Sequence, residues 1–390
     1  MREVVIVSAV RTPIGAFQGS LSNLSAPQLG SLVVSAALEK ASIQGTDVNE
    51  VIMGQVLSAG AGQAPARQAS LGAGIPASVP CLTINKVCGS GLKAVMLGRQ
   101  SIQLGDAEIV VAGGMESMSN APYLLPTARS GMRMGDQKAV DAMIHDGLWD
   151  PYGDSHMGNF GDLCAREHSF SREDQDAFSQ TSYERAIDAQ KNGLFEDELV
   201  PVEIKTRKNT VVIDKDEEPG RYNPERMPGL RPAFAKEGTI TAANASKIDD
   251  GAACVVMMSR EEAEKRGCTV LATIASDGTF AQEPEWFTTA PAGAITRAAE
   301  KAGIAPADID LYEINEAFAV VTMVTMKELA LEHEKVNVRG GAVSLGHPIG
   351  CSGARILVTL LHAMKDRNAK TGCASLCIGG GEAVALIVNR

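Results

Sequence analysis

Along this chain, unbroken apolar runs alternate with segments whose apolar positions recur every three or four residues. VVIVSAV (4–10) is apolar and β-branched throughout and predicts a buried strand. SAPQLGSLVVSAALEKASI (25–43) has helical spacing, and VNEVIMGQV (48–56) predicts the next strand. After Cys88, Leu92, Val95, Met96 and Ile102 mark a helix, and AEIVVAGG (107–114) is again a buried strand. Alternation of this kind predicts an α/β architecture with largely parallel pairing.

The C-terminal third repeats the plan. AALEKASIQGTDV (36–48) resembles RAAEKAGIAPADI (297–309), and GSGLKAV (89–95) resembles CSGARIL (351–357) at nearly the same shift. Gly113–Gly114 has a looser counterpart at Gly379–Gly380. Two matches at nearly one shift point to a duplicated α/β unit, against chance likeness between Ala- and Gly-rich segments. Residues 119–243 break the rhythm. They hold one strong helix over 171–193, with Ser171 and Asp174 as a capping box and Gly193 as its stop, then a charged, proline-rich stretch. The expected division is an N-terminal half (1–118 plus 244–270), an inserted loop domain (119–243) and a C-terminal half (271–390). Loops inserted on a rigid α/β core commonly carry binding and assembly functions.

Composition narrows the class. The 390 residues exceed what a single core usually holds, so two or more domains are expected. Apolar content of 45% and charged content of 21% are those of a soluble globular protein, and the net charge of −11 argues against nucleic acid as a partner. No run approaches the roughly 18 apolar residues of a membrane span. MREVVIVSAVRTP lacks a cleavage site for a signal peptide. Eight scattered cysteines with no CxxC pair fit a reducing cytoplasm and give no zinc-ligand spacing, so no metal is expected.

Four stretches could carry chemistry. In INKVCGSGLKAV (84–95), Cys88 stands where a strand-like segment turns into a helix, whose N–H groups and positive dipole end favour a thiolate. Alone, such a cysteine is more often inert core. In GGAVSLGHPIGCSGAR (340–355), His347 sits just before the repeat of the turn that follows Cys88. It reads either as a loop histidine or as the base of a Cys–His pair. If the halves pack about a pseudo-twofold axis, the two residues converge in one crevice at the strand ends. Cys377 in ASLCIGGGEAVALIV (374–388) is a buried strand cysteine or a second thiol suited to proton exchange. Asn315 in YEINEAFAVV (312–321) is an oxyanion donor or, with Glu316, a helix cap.

Together these stretches resemble the thiolases, especially the short-chain acetyl-CoA acetyltransferase branch. VSAVRTPIGAF, NKVCGSGLKAV, VVAGGMESMSNAPYLLP, NASKIDDGAA, INEAFA, GGAVSLGHPIGCSGAR and CIGGG look like family motifs in family order, over essentially the whole chain. The resemblance implies a layered α-β-α-β-α fold of two duplicated halves carrying an inserted loop domain. It implies Cys88 as acyl-accepting nucleophile and His347 as its activator. His347, with a water held by Asn315, would bind the thioester oxygen, and Cys377 would move the acyl α-proton. The backbone N–H groups of Cys88 and Gly379 would form a second oxyanion hole, and His156, Met157 and Ser246 would line the path of coenzyme A. It further implies acetyl-CoA, acetoacetyl-CoA and CoA as the molecules handled, with no bound cofactor and no membrane or nucleic-acid partner. The expected assembly is a dimer of dimers, for which the sequence offers SGMRMGD (130–136) in the insertion.

One departure from the family pattern stands out: Glu382-Ala383 follow the triple glycine, where Met-Gly is common, which puts an ionisable group beside the pocket floor. Three other readings compete. A degradative 3-ketoacyl-CoA thiolase would take longer chains, although the HMG stretch at 156–158 resembles the short-chain branch. A carrier-protein-dependent ketoacyl synthase would be expected to pair its cysteine with other partners than Asn315 and a second thiol. An inactive scaffold would have no need of the four motif residues.

Overall fold

The computed structural model of the protein describes residues 2–205 and 209–390. Its main sheet contains β1 (Val4–Arg11), β2 (Glu50–Gly54), β3 (Cys81–Ile84), β4 (Ile109–Ser117), β5 (Asp249–Ser259), β6 (Ala272–Ala281), β7 (Leu311–Ile314), β8 (Thr371–Ile378) and β9 (Glu382–Asn389). The helices that matter here are α1 (Ala26–Ala41), α2 (Ser90–Leu104), α3 (Met157–Glu167), α4 (Arg172–Lys191), α5 (Ala290–Ala302), α6 (Ala319–Leu329) and α7 (Ser352–Arg367).

The strand order is β7-β8-β9-β6-β1-β5-β4-β2-β3. Outward from the β1/β6 seam, β1-β5-β4-β2 and β6-β9-β8-β7 follow the same sequence of pairings. In each half the first two pairs are antiparallel and the outer one is parallel. The seam itself is a short antiparallel pairing of Val5 with Thr273 and Ile6 with Ala272. Even β3 has a vestigial counterpart, a parallel bridge from Tyr312 to Val336. The duplication read from two short motifs therefore extends over both half-sheets.

The expectation of largely parallel pairing is corrected. Among the described strands of the main sheet, only β2/β3, β2/β4 and β7/β8 are parallel. A parallel neighbour needs a crossover of a dozen or more residues, but β8 and β9 are joined by Gly379–Gly381 alone. That three-residue turn forces a hairpin. β5, entering after the long insertion, lies antiparallel between β1 and β4.

Period-two alternation explains why these strands read as continuous apolar runs. Val110 and Ala112 of β4, Val255 and Met257 of β5, and Leu376 and Ile378 of β8 all face a central core with Leu92 and Val95 of α2 and Leu357 and Leu360 of α7. Their neighbours face outward. Val111, Met115, Val256 and Met258 pack on Leu29 and Val33 of α1, and Cys373, Ala385 and Ile387 pack on Ile295 and Ala298 of α5. The result is five layers, with α2 and α7 sandwiched between the half-sheets. Helix α7 is buried without interruption from Ser352 to Met364.

The two central helices meet at their N-termini. A Cβ on Gly91 would stand 2.7 Å from the Ala354 nitrogen, and one on Gly353 would stand 2.4 Å from the Leu92 nitrogen. These are the matching glycines of the two repeats, and only a residue without a side chain permits the crossing.

Within the insertion, α4 is capped as expected, with Asp174 N–H on Ser171 Oγ at 3.0 Å and Ser171 N–H on Asp174 Oδ2 at 2.9 Å. Helix α3 was not anticipated, because its two glycines lower the helical signal of MGNFGDLCARE.

Gly353→Ala should lower unfolding free energy by about 1–3 kcal/mol, because the obstructing atoms are backbone and cannot rotate away. Chemical denaturation beside the wild type checks this. Gly303→Ala tests the opposite cause, since there a Cβ meets open space and only the left-handed backbone, φ +71°, resists it.

Candidate active site

The turn that presents Cys88 lies between β3 and α2. Val87 adopts φ +45°, a left-handed conformation unfavourable for a β-branched residue. Local hydrogen bonds hold it there. Asn85 Oδ1 accepts the Val87 N–H at 2.9 Å. Ser90 Oγ accepts the Lys86 N–H at 2.8 Å and donates to the Val87 carbonyl at 2.7 Å. Cys88 is thereby turned toward the C-terminal half, two residues ahead of α2.

Cys88, His347, Cys377 and Gly379 line one pocket, together with His156, Met157 and Ser246. The remaining wall is apolar, and sequence reasoning missed it: Leu148, Phe287, Ala317, Phe318 and Ile349. Cys88 is half-buried. Burial pushes its thiol up to about 11, while the backbone N–H groups of Gly379 and of Cys88 itself pull it down. Gly379 lies in the pocket wall beside Cys88.

His347 is 5% exposed. Its backbone N–H donates to Asp249 Oδ2 at 2.9 Å, and its Nδ1 lies 2.6 Å from Ser352 Oγ. Ser352 in turn donates to the Pro348 carbonyl at 2.9 Å, so its oxygen is left to accept from Nδ1–H. That assigns the lone pair to Nε2. Burial first, then the Arg355 guanidinium, depresses His347 to about 3, so the ring is neutral at physiological pH.

Asn315 stands behind the histidine rather than in the pocket wall. Its Nδ2 is 3.5 Å from His347 Nε2, and its Oδ1 is buried without a partner among the described residues. It does not cap a helix, since Phe318 is the residue preceding α6. Cys377, near the end of β8, is 1% exposed, and burial holds its thiol well above the usual range.

His156 opens α3 by accepting the Gly158 N–H on Nδ1 at 3.1 Å, and its ring stacks on Phe234 at 4.5 Å. Ser246 donates its backbone N–H to Ala317 at 3.0 Å, tying its strand-like segment to the pocket wall. Glu382 does not enter the pocket. Its carboxylate takes the Lys86 ammonium at 2.5 Å, linking the turn before Cys88 to the one after Cys377.

Sequence reasoning also missed the groups that hold the loops. Glu116 is fully buried and accepts the N–H groups of Val56 (3.0 Å), Leu57 (3.2 Å) and Gly350 (2.9 Å). An acid inside an otherwise apolar strand was the available signal, as was a serine five residues beyond His347.

The chain is similar to known proteins along its whole length. Residues 4–261 match the thiolase N-terminal domain and residues 268–390 the thiolase C-terminal domain. The acetyl-CoA acetyltransferase of Cupriavidus necator is 55% identical over 392 residues, spanning 100% of both chains. Acetyl-CoA acetyltransferase 2 of Arabidopsis thaliana is 54% identical over 391 residues, covering 100% of this chain and 97% of its own. The acetyl-CoA acetyltransferase of Pseudomonas aeruginosa is 50% identical over 392 residues, again spanning 100% of both. With both domains matched and likeness sustained from end to end, this chain belongs to the thiolase family.

Proposed function

We propose that the protein is an acetyl-CoA C-acetyltransferase. It joins two acetyl-CoA into acetoacetyl-CoA and CoA, and runs the reverse thiolysis, through an acetyl-Cys88 intermediate. The observation that carries this reading is the convergence of Cys88, His347, Cys377 and two backbone N–H donors in one apolar pocket.

In the first half-reaction His347 Nε2 takes the Cys88 proton as sulfur attacks the thioester carbonyl. The N–H groups of Cys88 and Gly379 bind the oxyanion, each such donor typically being worth about 3–4 kcal/mol. The carbon–sulfur bond to CoA then breaks, and CoA leaves with the proton from Cys377, so Cys377 becomes a thiolate and His347 Nε2 keeps the proton taken from Cys88. In the second, Cys377 removes the α-proton of another acetyl-CoA. The enolate oxygen is held at His347, with Asn315 behind it, and the new carbanion attacks the acetyl carbonyl on Cys88. The Cys88 thiolate departs as acetoacetyl-CoA forms and recovers its proton from His347 Nε2, while the α-proton stays on Cys377. Splitting one hard step into two implies ping-pong kinetics. His156, Met157 and Ser246 guide the pantetheine arm. No bound cofactor enters any step, because CoA arrives with the substrate.

Three further features belong to the same proposal. A homotetramer, built as a dimer of dimers, is supported by exposed apolar residues on the arm after β4: Tyr123, Leu125, Met132 and Met134. A cytoplasmic setting, with acetyl units serving lipid metabolism, fits eight free cysteines. No helix among the described residues is long and apolar enough to cross a membrane. Pocket walls of Leu148, Phe287 and Phe318 favour short acyl chains over the longer ones of a degradative thiolase.

Incubation with acetyl-CoA followed by intact mass should give one acetyl adduct on the wild type and on Cys377→Ser, but none on Cys88→Ser. Cys377→Ser should form no acetoacetyl-CoA. Absence of any wild-type adduct would return the inactive scaffold as the better reading. Because the resting pair is neutral, alkylation of Cys88 by iodoacetamide should keep accelerating from about pH 6 to about pH 10. A thiolate already paired with imidazolium would instead react at a rate nearly independent of pH across that window. Thiolysis rates should fall steeply from acetoacetyl-CoA to longer 3-ketoacyl-CoA, and a flat profile would overturn the short-chain assignment.

A further inference from the structure

Lys247 follows Ser246 and is not part of the pocket wall. It lies half-buried beneath a cleft lined by Tyr183, Glu218, Tyr222 and Ala243. Its Nζ donates to the Ala245 carbonyl at 2.8 Å and to the Val343 carbonyl at 3.1 Å. The Tyr183 ring stands 5.5 Å away and takes the remaining positive face. Among the described residues, no carboxylate lies within ion-pair distance, and no other donor reaches either carbonyl.

The two carbonyls belong to different parts of the site. Ala245 immediately precedes Ser246, and Val343 lies in the single helical turn that leads into Gly346 and His347. We propose that the Lys247 ammonium is a tethered internal cation that fixes the Ser246 segment against the His347 segment. It is thus a positioning residue for the acetyl-transfer site proposed above, on which this inference rests.

Three properties support the assignment. A compact ammonium with three donors suits a carbonyl cage better than a planar guanidinium does. Removing it leaves two inward-facing carbonyls without a donor, which is costly and loosens both segments together. Glu218, Asp249 and Glu316 surround the site at longer range. Burial draws Lys247 down to about 8 and these acids push back, so the charged form prevails at neutral pH.

The test uses Lys247→Met, Lys247→Arg and Lys247→Ala in the acetoacetyl-CoA thiolysis assay, with the wild type alongside. Lys247→Met should lower kcat roughly tenfold or more, as expected when reacting groups shift by about an ångström. Lys247→Arg should not restore it. Lys247→Ala should regain turnover as methylammonium chloride is added, but not with tetramethylammonium chloride at equal ionic strength, which is too large for the cage. A purely structural role predicts that the two salts act alike and that thermal stability and kcat fall together; that result, or a wild-type kcat in Lys247→Met, overturns the inference. An inactive wild type would instead overturn the proposed activity.

Discussion

The crossing of α2 and α7 at Gly91 and Gly353 is the contact on which the rest depends. With backbone set nearly against backbone, two helix N-termini from separate halves share one small volume. Cys88 lies two residues before one helix and His347 five residues before the other. Any side chain at the crossing would separate these turns. The fold therefore places nucleophile and base from related positions: each half leads a loop into the N-terminus of its central helix, the first from β3 and the second through the helical turn Ala342–Leu345.

Apolar packing sets the layers, but buried acids set the loops. Glu116 pins the turns after β2 and before α7, and Asp249 takes the His347 N–H. Glu316 accepts Ser182 at 2.7 Å, Asn337 at 2.8 Å and the Val343 N–H at 3.1 Å. Loops near a pocket cannot pair their backbone N–H groups in a ladder, so side-chain oxygens must take them. Burial opposes the charge on each acid, raising Glu116 to about 7, while the donated N–H groups oppose that rise. The geometry of His347 is thus fixed by hydrogen bonds whose cost is already met in the folded core.

Much of this was legible in the sequence, for definite physical reasons. Unbroken apolar runs such as VVIVSAV marked buried strands, and the GSG and CSG turns marked the repeat, whereas their role at the helix crossing came only from the structure. Strand direction was not legible. It depends on whether a three-residue turn or a long crossover joins neighbours, and the CIGGGEA turn was read for chemistry rather than for topology. Helix α3 was hidden by its glycines. Ser352, Glu116 and Lys247 carry no periodic signal, and each matters through a partner distant in the chain. Glu116 and Ser352 had only a local signal in the sequence, and their partners, like those of Lys247, are found by asking which buried loop groups lack donors or acceptors.

The two cysteines show how one residue type supports two roles. Cys88 borders two backbone N–H groups that stabilise negative charge, whereas Cys377 packs with Ala317, Phe318 and Phe287, where charge is disfavoured. Proximity adds a second constraint, since charge on Cys88 further raises the Cys377 thiol. Both cannot ionise at once. In the proposed reaction this orders the steps, because an acetyl group on Cys88 keeps that sulfur from carrying charge for the lifetime of the intermediate. The like-charge penalty on Cys377 then disappears, at the stage when a base is needed for the α-proton of the second substrate. Release of acetoacetyl-CoA returns a proton to Cys88 and leaves Cys377 a thiol, so the pocket is again neutral at rest.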